Sequence, residues 1–131
     1  MTFFRISEAA GLLGVSDDTV RRLVESGQLT ATVPEGGGPK LLDGVELAGY
    51  AQRAASATQD PSAVGRSARN RFVGVVTKVT ADTVMAQVEM QCGPHRVVSL
   101  MSSEAVRELG LEVGTLAVAV VKATTVIVET P

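Results

Sequence analysis

The chain has 131 residues, 45% of them hydrophobic, with a formal charge of −2 and a single cysteine, Cys92. No run approaches the roughly 20 apolar residues that cross a bilayer, and Met1 to Ser7 lacks the charged-then-apolar layout of a secretion signal, so a cytoplasmic chain with no membrane role is expected. One cysteine excludes an intramolecular disulfide and suits a reducing compartment. The length allows one domain, but the pattern reads as two small ones; a half of about 60 residues buries only about 60% of its unfolded surface, so oligomerisation is expected.

Ile6, Ala9, Ala10 and Leu13 form an i, i+3, i+4, i+7 stripe, with Ser7 as the expected N-cap of a short amphipathic helix that Gly14 breaks. Ser16 offers a second cap, and Val20, Leu23 and Val24 give the buried face of a second helix ending near Gly27. Leu29, Ala31 and Val33 alternate until Pro34 and Gly36 to Gly38 intervene before Leu41 and Leu42, the pattern of a hairpin with a mobile tip. Asp43 can cap a third helix through Val45, Leu47, Ala48 and Ala51.

The stretch from about Ala54 to Ala68 is rich in Ala, Ser, Gly and Gln and contains Pro61 but almost no large apolar residue, which predicts a flexible linker over 56–66. Beyond it the character changes to β-branched runs: Phe72 to Val79, Val84 to Met90, Val97 to Met101, Leu116 to Val121 and Val126 to Val128. Five strands with one short helix, Ser103 to Leu109, closed by Gly110, predict a small barrel of the oligonucleotide- or oligosaccharide-binding type. The expected fold class is α+β in two domains, 1–55 and 67–131.

In the first domain the residues Ile6-Ser7-Glu8-Ala9-Ala10, Leu13-Gly14-Val15-Ser16, Thr19-Val20-Arg21-Arg22 and Gly27-Gln28-Leu29 resemble the winged helix-turn-helix of MerR-like and excisionase-like proteins. With Val20, Leu23 and Val24 inward, Asp18, Thr19, Arg21 and Arg22 project from the start and outer side of the second helix, where a recognition helix enters the major groove of double-stranded DNA. Arg21 and Arg22 suit a phosphate or a guanine edge, Thr19 a phosphate or a thymine methyl, and Lys40 on the hairpin a backbone contact. Two features depart from the family pattern. The wing, Val33 to Lys40, holds one Lys and one Glu where relatives carry several basic residues, and Asp17 and Asp18 favour the helix dipole but repel phosphate. The first 59 residues carry five Lys/Arg against seven Asp/Glu, so one module is expected to bind weakly and to need duplication in an oligomer.

In the second domain three motifs together resemble the molybdate-binding Mop (molbindin, TOBE-like) family: Ser67-Ala68-Arg69-Asn70; Ser102-Ser103-Glu104-Ala105-Val106 with Glu108-Leu109-Gly110-Leu111; and Val121-Lys122-Ala123-Thr124-Thr125-Val126. The resemblance implies that molybdate or tungstate is bound between subunits by Ser67, Ala68, Arg69, Asn70, Ser102, Lys122, Ala123 and Thr124, in a homo-oligomer that is a dimer at least, with the hexamer of free-standing relatives as the open alternative. A dianion with four acceptor oxygens and no proton calls for cations, hydroxyls and backbone N–H groups, and Arg69, Lys122, Ser67, Ser102 and Thr124 supply the first two. Where relatives often have a second hydroxyl, three positions after Ser102, this chain has Ala105.

Cys92 and His95 form too small a set for a metal site and mark a hairpin turn; Gly36 to Gly38 lacks the Lys-Ser/Thr of a phosphate-binding loop. With one histidine and no nucleophile–base pairing, no enzyme activity is expected. The leading expectation is a molybdate- or tungstate-responsive DNA-binding regulator of transcription. The alternative is an intracellular store or buffer for the same oxyanion, its helical head degenerate.

Overall fold

Ser16 and Asp43 set the frame of the first half of the chain, because each has extended backbone and caps the helix that follows. In the computed structural model, which describes residues 2–55, 61 and 69–131, Ser16 Oγ accepts from Thr19 N at 3.2 Å and Asp43 Oδ1 from Val45 N at 3.2 Å. The described residues divide into two units, Met1–Ala57 and Thr58–Pro131.

The first unit runs β1 (Phe3–Arg5), α1 (Ile6–Leu13), α2 (Asp17–Glu25), β2 (Ala31–Thr32), β3 (Leu41–Asp43) and α3 (Gly44–Ala54). The expected cap at Ser7 is displaced to Arg5, since β1 runs straight into the helix and Arg5 N donates to Glu8 Oε1 at 3.3 Å. Gly14 closes α1 in the left-handed region at φ 70°, a conformation that costs glycine no Cβ clash. The three strands form an antiparallel sheet in the order β1-β3-β2, with Phe4 opposite Leu42 and Arg5 opposite Leu41. Ala9, Ala10, Val20, Leu29, Leu42 and Leu47 are buried together, with Phe4, Ile6, Leu23 and Tyr50 packed around them. Glu46 Oε1 accepts from Thr30 N at 2.9 Å and ties α3 to the hairpin.

The second unit runs β4 (Asn70–Ala81), β5 (Met85–Cys92), β6 (His95–Ser102), α4 (Ser103–Leu109) and β7 (Leu116–Val121). Its sheet is antiparallel in the order β6-β5-β4-β7 and curls as a half-barrel. A register shift between Val76 and Lys78 marks a bulge in β4, and Thr77 Oγ1 donates to Glu89 O at 3.2 Å beside it; an extra residue at that point bends the strand. Val76, Ala86, Val88, Met90, Cys92 and Val106 make the buried cluster, so α4 covers only part of the concave face. Glu89 is buried on β5 and pairs with Arg96 of β6. At Gly74, an added Cβ would lie 2.3 Å from Gln91 O and 2.7 Å from Cys92 Sγ, so the strands approach closely there only because the side chain is absent.

The expected fifth strand is not formed, which corrects the five-stranded barrel to a four-stranded half-barrel among the described residues. After Lys122 the chain enters a 3-10 turn, Ala123–Thr125, in which Thr125 N and Thr125 Oγ1 both donate to Lys122 O, at 2.9 and 2.8 Å. Val126, Ile127 and Val128 follow without regular structure, and the last two are 83% and 86% exposed. Their β-branched side chains favour a strand only where an edge is there to pair with, and no described strand pairs with them. The half-barrel is left with an apolar groove of about 460 Å³ between β6 and β7, lined by residues such as Val76, Met90, Val97, Leu111, Leu116 and Val118.

Candidate functional site

The ladder between β4 and β7 joins two of the three motifs of the second unit. Asn70 lies opposite Val121, and its Nδ2 donates to Val121 O at 3.1 Å. Arg69 and Lys122, the residues just outside this last pair, therefore stand at one end of the sheet, and both are exposed. Ala123 and Thr124 follow in the exposed 3-10 turn. Ser67 and Ala68 lie outside the described residues. Two cations, an amide and a hydroxyl collected at one sheet end form a donor-rich patch, and neither Arg69 nor Lys122 is in an ion pair among the described residues.

Ser102 is elsewhere. It pairs with Met85, and the neighbouring pairs Ala86–Met101 and Ala81–Ala86 place it at the far end of β4 from Asn70. The twelve-residue β4 separates them by roughly 36 Å of strand path at about 3.3 Å per residue. Ser102 is the N-cap of α4, its Oγ accepting from Ala105 N at 3.1 Å, so its own O–H remains to donate outward. Ser103 is buried and turned inward, donating to Asp82 O at 2.7 Å. A single chain thus brings Arg69, Asn70, Lys122, Ala123 and Thr124 together and leaves Ser102 apart. That separation depends on strand register, which has no signal in motif spacing.

On the first unit, α2 is amphipathic as its sequence predicts: Val20 is fully buried while Asp18, Arg21 and Arg22 are exposed. Arg21 is tethered to Asp18, with Nη1 to Oδ1 at 2.8 Å. Thr19 is half-buried, its hydroxyl 3.0 Å from Ser16 Oγ, so it belongs as much to the cap as to the outer face. Lys40 is exposed at the foot of the hairpin, directly before β3. Arg5, which no spacing rule singles out, and Ser7, read from the sequence only as a helix cap, come beside Lys40 because β1 pairs with β3.

Cys92 and His95 close the β5–β6 hairpin as a register pair. Cys92 Sγ donates to Phe72 O at 3.7 Å, and burial pushes its thiol pKa up, the opposite of an activated nucleophile. Asp82 has its carboxyl held below the ordinary value by the backbone N–H groups of Met85 and Val84; it shapes the β4–β5 turn and lies in neither patch. Among the described residues no three His, Cys, Asp or Glu side chains could hold a metal ion, and no helix is long and apolar enough to cross a membrane.

The family model of the TOBE domain matches residues 66–128, and the chain belongs to that family. It is 44% identical over 63 residues to a probable molybdenum-pterin-binding protein of Haemophilus influenzae, a match spanning 47% of this chain and 91% of the relative. Among solved structures, the cytoplasmic molybdate-binding protein ModG, determined with molybdate bound, is 38% identical at a TM-score of 0.52, over 55% of this chain and 52% of that one. MopII from Clostridium pasteurianum is 34% identical at a TM-score of 0.47, over 50% of this chain and the whole of the other. Residues 1–65 lie outside the family match.

Proposed function

We propose that the second unit binds molybdate or tungstate at a site shared between copies of this chain, and that the first unit binds double-stranded DNA, so that the oxyanion controls transcription. The observation that carries the ligand is the kinship with a molybdenum-pterin-binding relative and with the molybdate-binding ModG over the residues that place Arg69, Asn70 and Lys122 at one sheet end. Arg69 and Lys122 supply charge, and Thr124 and Ser102 supply neutral donors. A proton-free dianion matches a site whose charge comes from two cations, and sulfate is separated only by size.

The separation of Ser102 from the two cations within one chain supports a shared site. The open groove between β6 and β7 gives a second copy an apolar surface to cover, and a dimer is the smallest assembly with a shared site. Control of DNA then requires only that the ligand favour one assembly or arrangement of the DNA-binding heads, a coupling typically of about 1–3 kcal/mol. Storage of the oxyanion is the second reading, favoured by the acidic excess of the first 59 residues. No step of either role calls for catalysis.

Calorimetric titration of molybdate, tungstate, sulfate and phosphate tests the site. Tight binding of the first two, abolished in Lys122→Ala and partly restored when Lys122→Ala and Ser102→Ala chains are co-refolded together, is the expected result. Absence of molybdate and tungstate binding at micromolar concentrations would remove both roles. Duplex binding that weakens steeply with salt supports the regulator; none at any salt leaves the store.

A further inference from the structure

The first turn of α1 lacks a side-chain cap, because the capping position is occupied by Arg5, whose guanidinium has no acceptor. In front of that turn lies a surface hollow of about 250 Å³ into which three elements send cations: Arg5 at the start of α1, Arg21 from α2, and Lys40 at the foot of the hairpin. Ser7 adds a hydroxyl, and Asp17 is the carboxylate in the lining. The convergence is a product of register, since Arg5 opposite Leu41 leaves Lys40 next along the strand beside Ile6, and Pro39 fixes the backbone preceding it.

We infer that this hollow seats one DNA backbone phosphate, held by Arg5, Arg21 and Lys40 together with the Ser7 hydroxyl and the first-turn amides of α1. The inference rests on the DNA-binding reading above and deepens it, by assigning Arg21 to the phosphate and leaving Arg22 to face base edges. Lys40 is in no ion pair among the described residues. Arg5 and Arg21 contact Glu8 and Asp18 at 4.0 and 2.8 Å, but these are exposed pairs one helical turn apart, of the kind that contribute little and exchange readily for a better anion. A phosphodiester suits the hollow better than a free phosphate, because its single charge is met by three cations without a second charge set against Asp17. It also carries no proton to be accommodated. Uncapped helix amides and flanking cations are the common equipment of phosphate sites.

The test is fluorescence anisotropy of the full chain with two labelled duplexes of unrelated sequence, over a series of salt concentrations. Lys40→Ala and Arg5→Ala should each lower the slope of log affinity against log salt by about 1, equally on both duplexes, and Arg5→Lys should restore most of it. Circular dichroism of each variant confirms folding, and Lys40→Ala, away from the helix start, keeps the test valid should Arg5→Ala unfold. If the wild-type chain binds duplex and these slopes do not change, the seat is overturned while DNA binding stands. If it binds no duplex, both fall. Saturation by inorganic phosphate alone, followed on the Ser7 and Glu8 amide resonances of a chain that ignores DNA, would make the hollow a free-anion site and overturn the assignment.

Discussion

The two units solve the problem of small size in different ways. The first closes a core within its own residues: Val20, Leu29 and Leu42 are almost wholly buried although no strand there exceeds three residues. The second has longer strands but leaves Leu116 59%, Val120 49% and Val98 45% exposed around an unfilled groove. Both sheets end in unpaired edge strands, β1 and β2 in the first unit and β6 and β7 in the second, but the second also carries an open apolar groove between its edges. The difference teaches that structural completeness follows from how well each apolar face is covered, not from how much regular structure a unit contains.

The strongest challenge to this contrast is Leu42→Ala, expected to cost about 2–5 kcal/mol because a fully enclosed leucine leaves a cavity that cannot collapse. Amide hydrogen exchange should rise across residues 3–54; an effect below about 1 kcal/mol would mean that the first core is looser than its burial implies. Next comes Gly74→Ala, expected to cost about 1–3 kcal/mol by forcing β4 away from Gln91 and Cys92, read in thermal or urea unfolding. Ser16→Ala should cost about 1 kcal/mol through loss of the α2 cap, measured in the same way.

The smallest effect concerns Asp82. Its folded pKa lies below the ordinary 3.8, so the stability it contributes is present above that value and is lost as pH falls through the folded pKa. The difference in melting temperature between wild type and Asp82→Asn should therefore be small near neutrality and close below about pH 4; a difference that widens in acid would reverse the assigned cause.

What could be read before the structure was whatever is written locally. The helices of the first unit announce themselves through Ser16, Asp43 and the stripe from Ile6 to Leu13, all within a turn or two of what they control. The strand Phe3–Arg5 carries no alternation long enough to recognise and exists through its pairing with β3, far along the chain. Val126 to Val128 has the opposite character, strand-like residues without a strand beside them. The candidate site divides similarly. Its residue types were legible as motifs, but the placement of Arg69 with Lys122, and of Ser102 away from both, follows from ladder register that no single motif encodes.

The length of sheet between Ser102 and Lys122 has a consequence for how such a molecule responds to its surroundings. If the donor set is completed only when two copies meet, ligand affinity is no longer a fixed property of the chain and rises with the chain's own abundance. Oxyanion and protein then act as each other's effectors: more of either recruits the other, by the same factor in both directions. Cells holding little of this protein would read a higher oxyanion threshold than cells holding much, a gain control written into strand register.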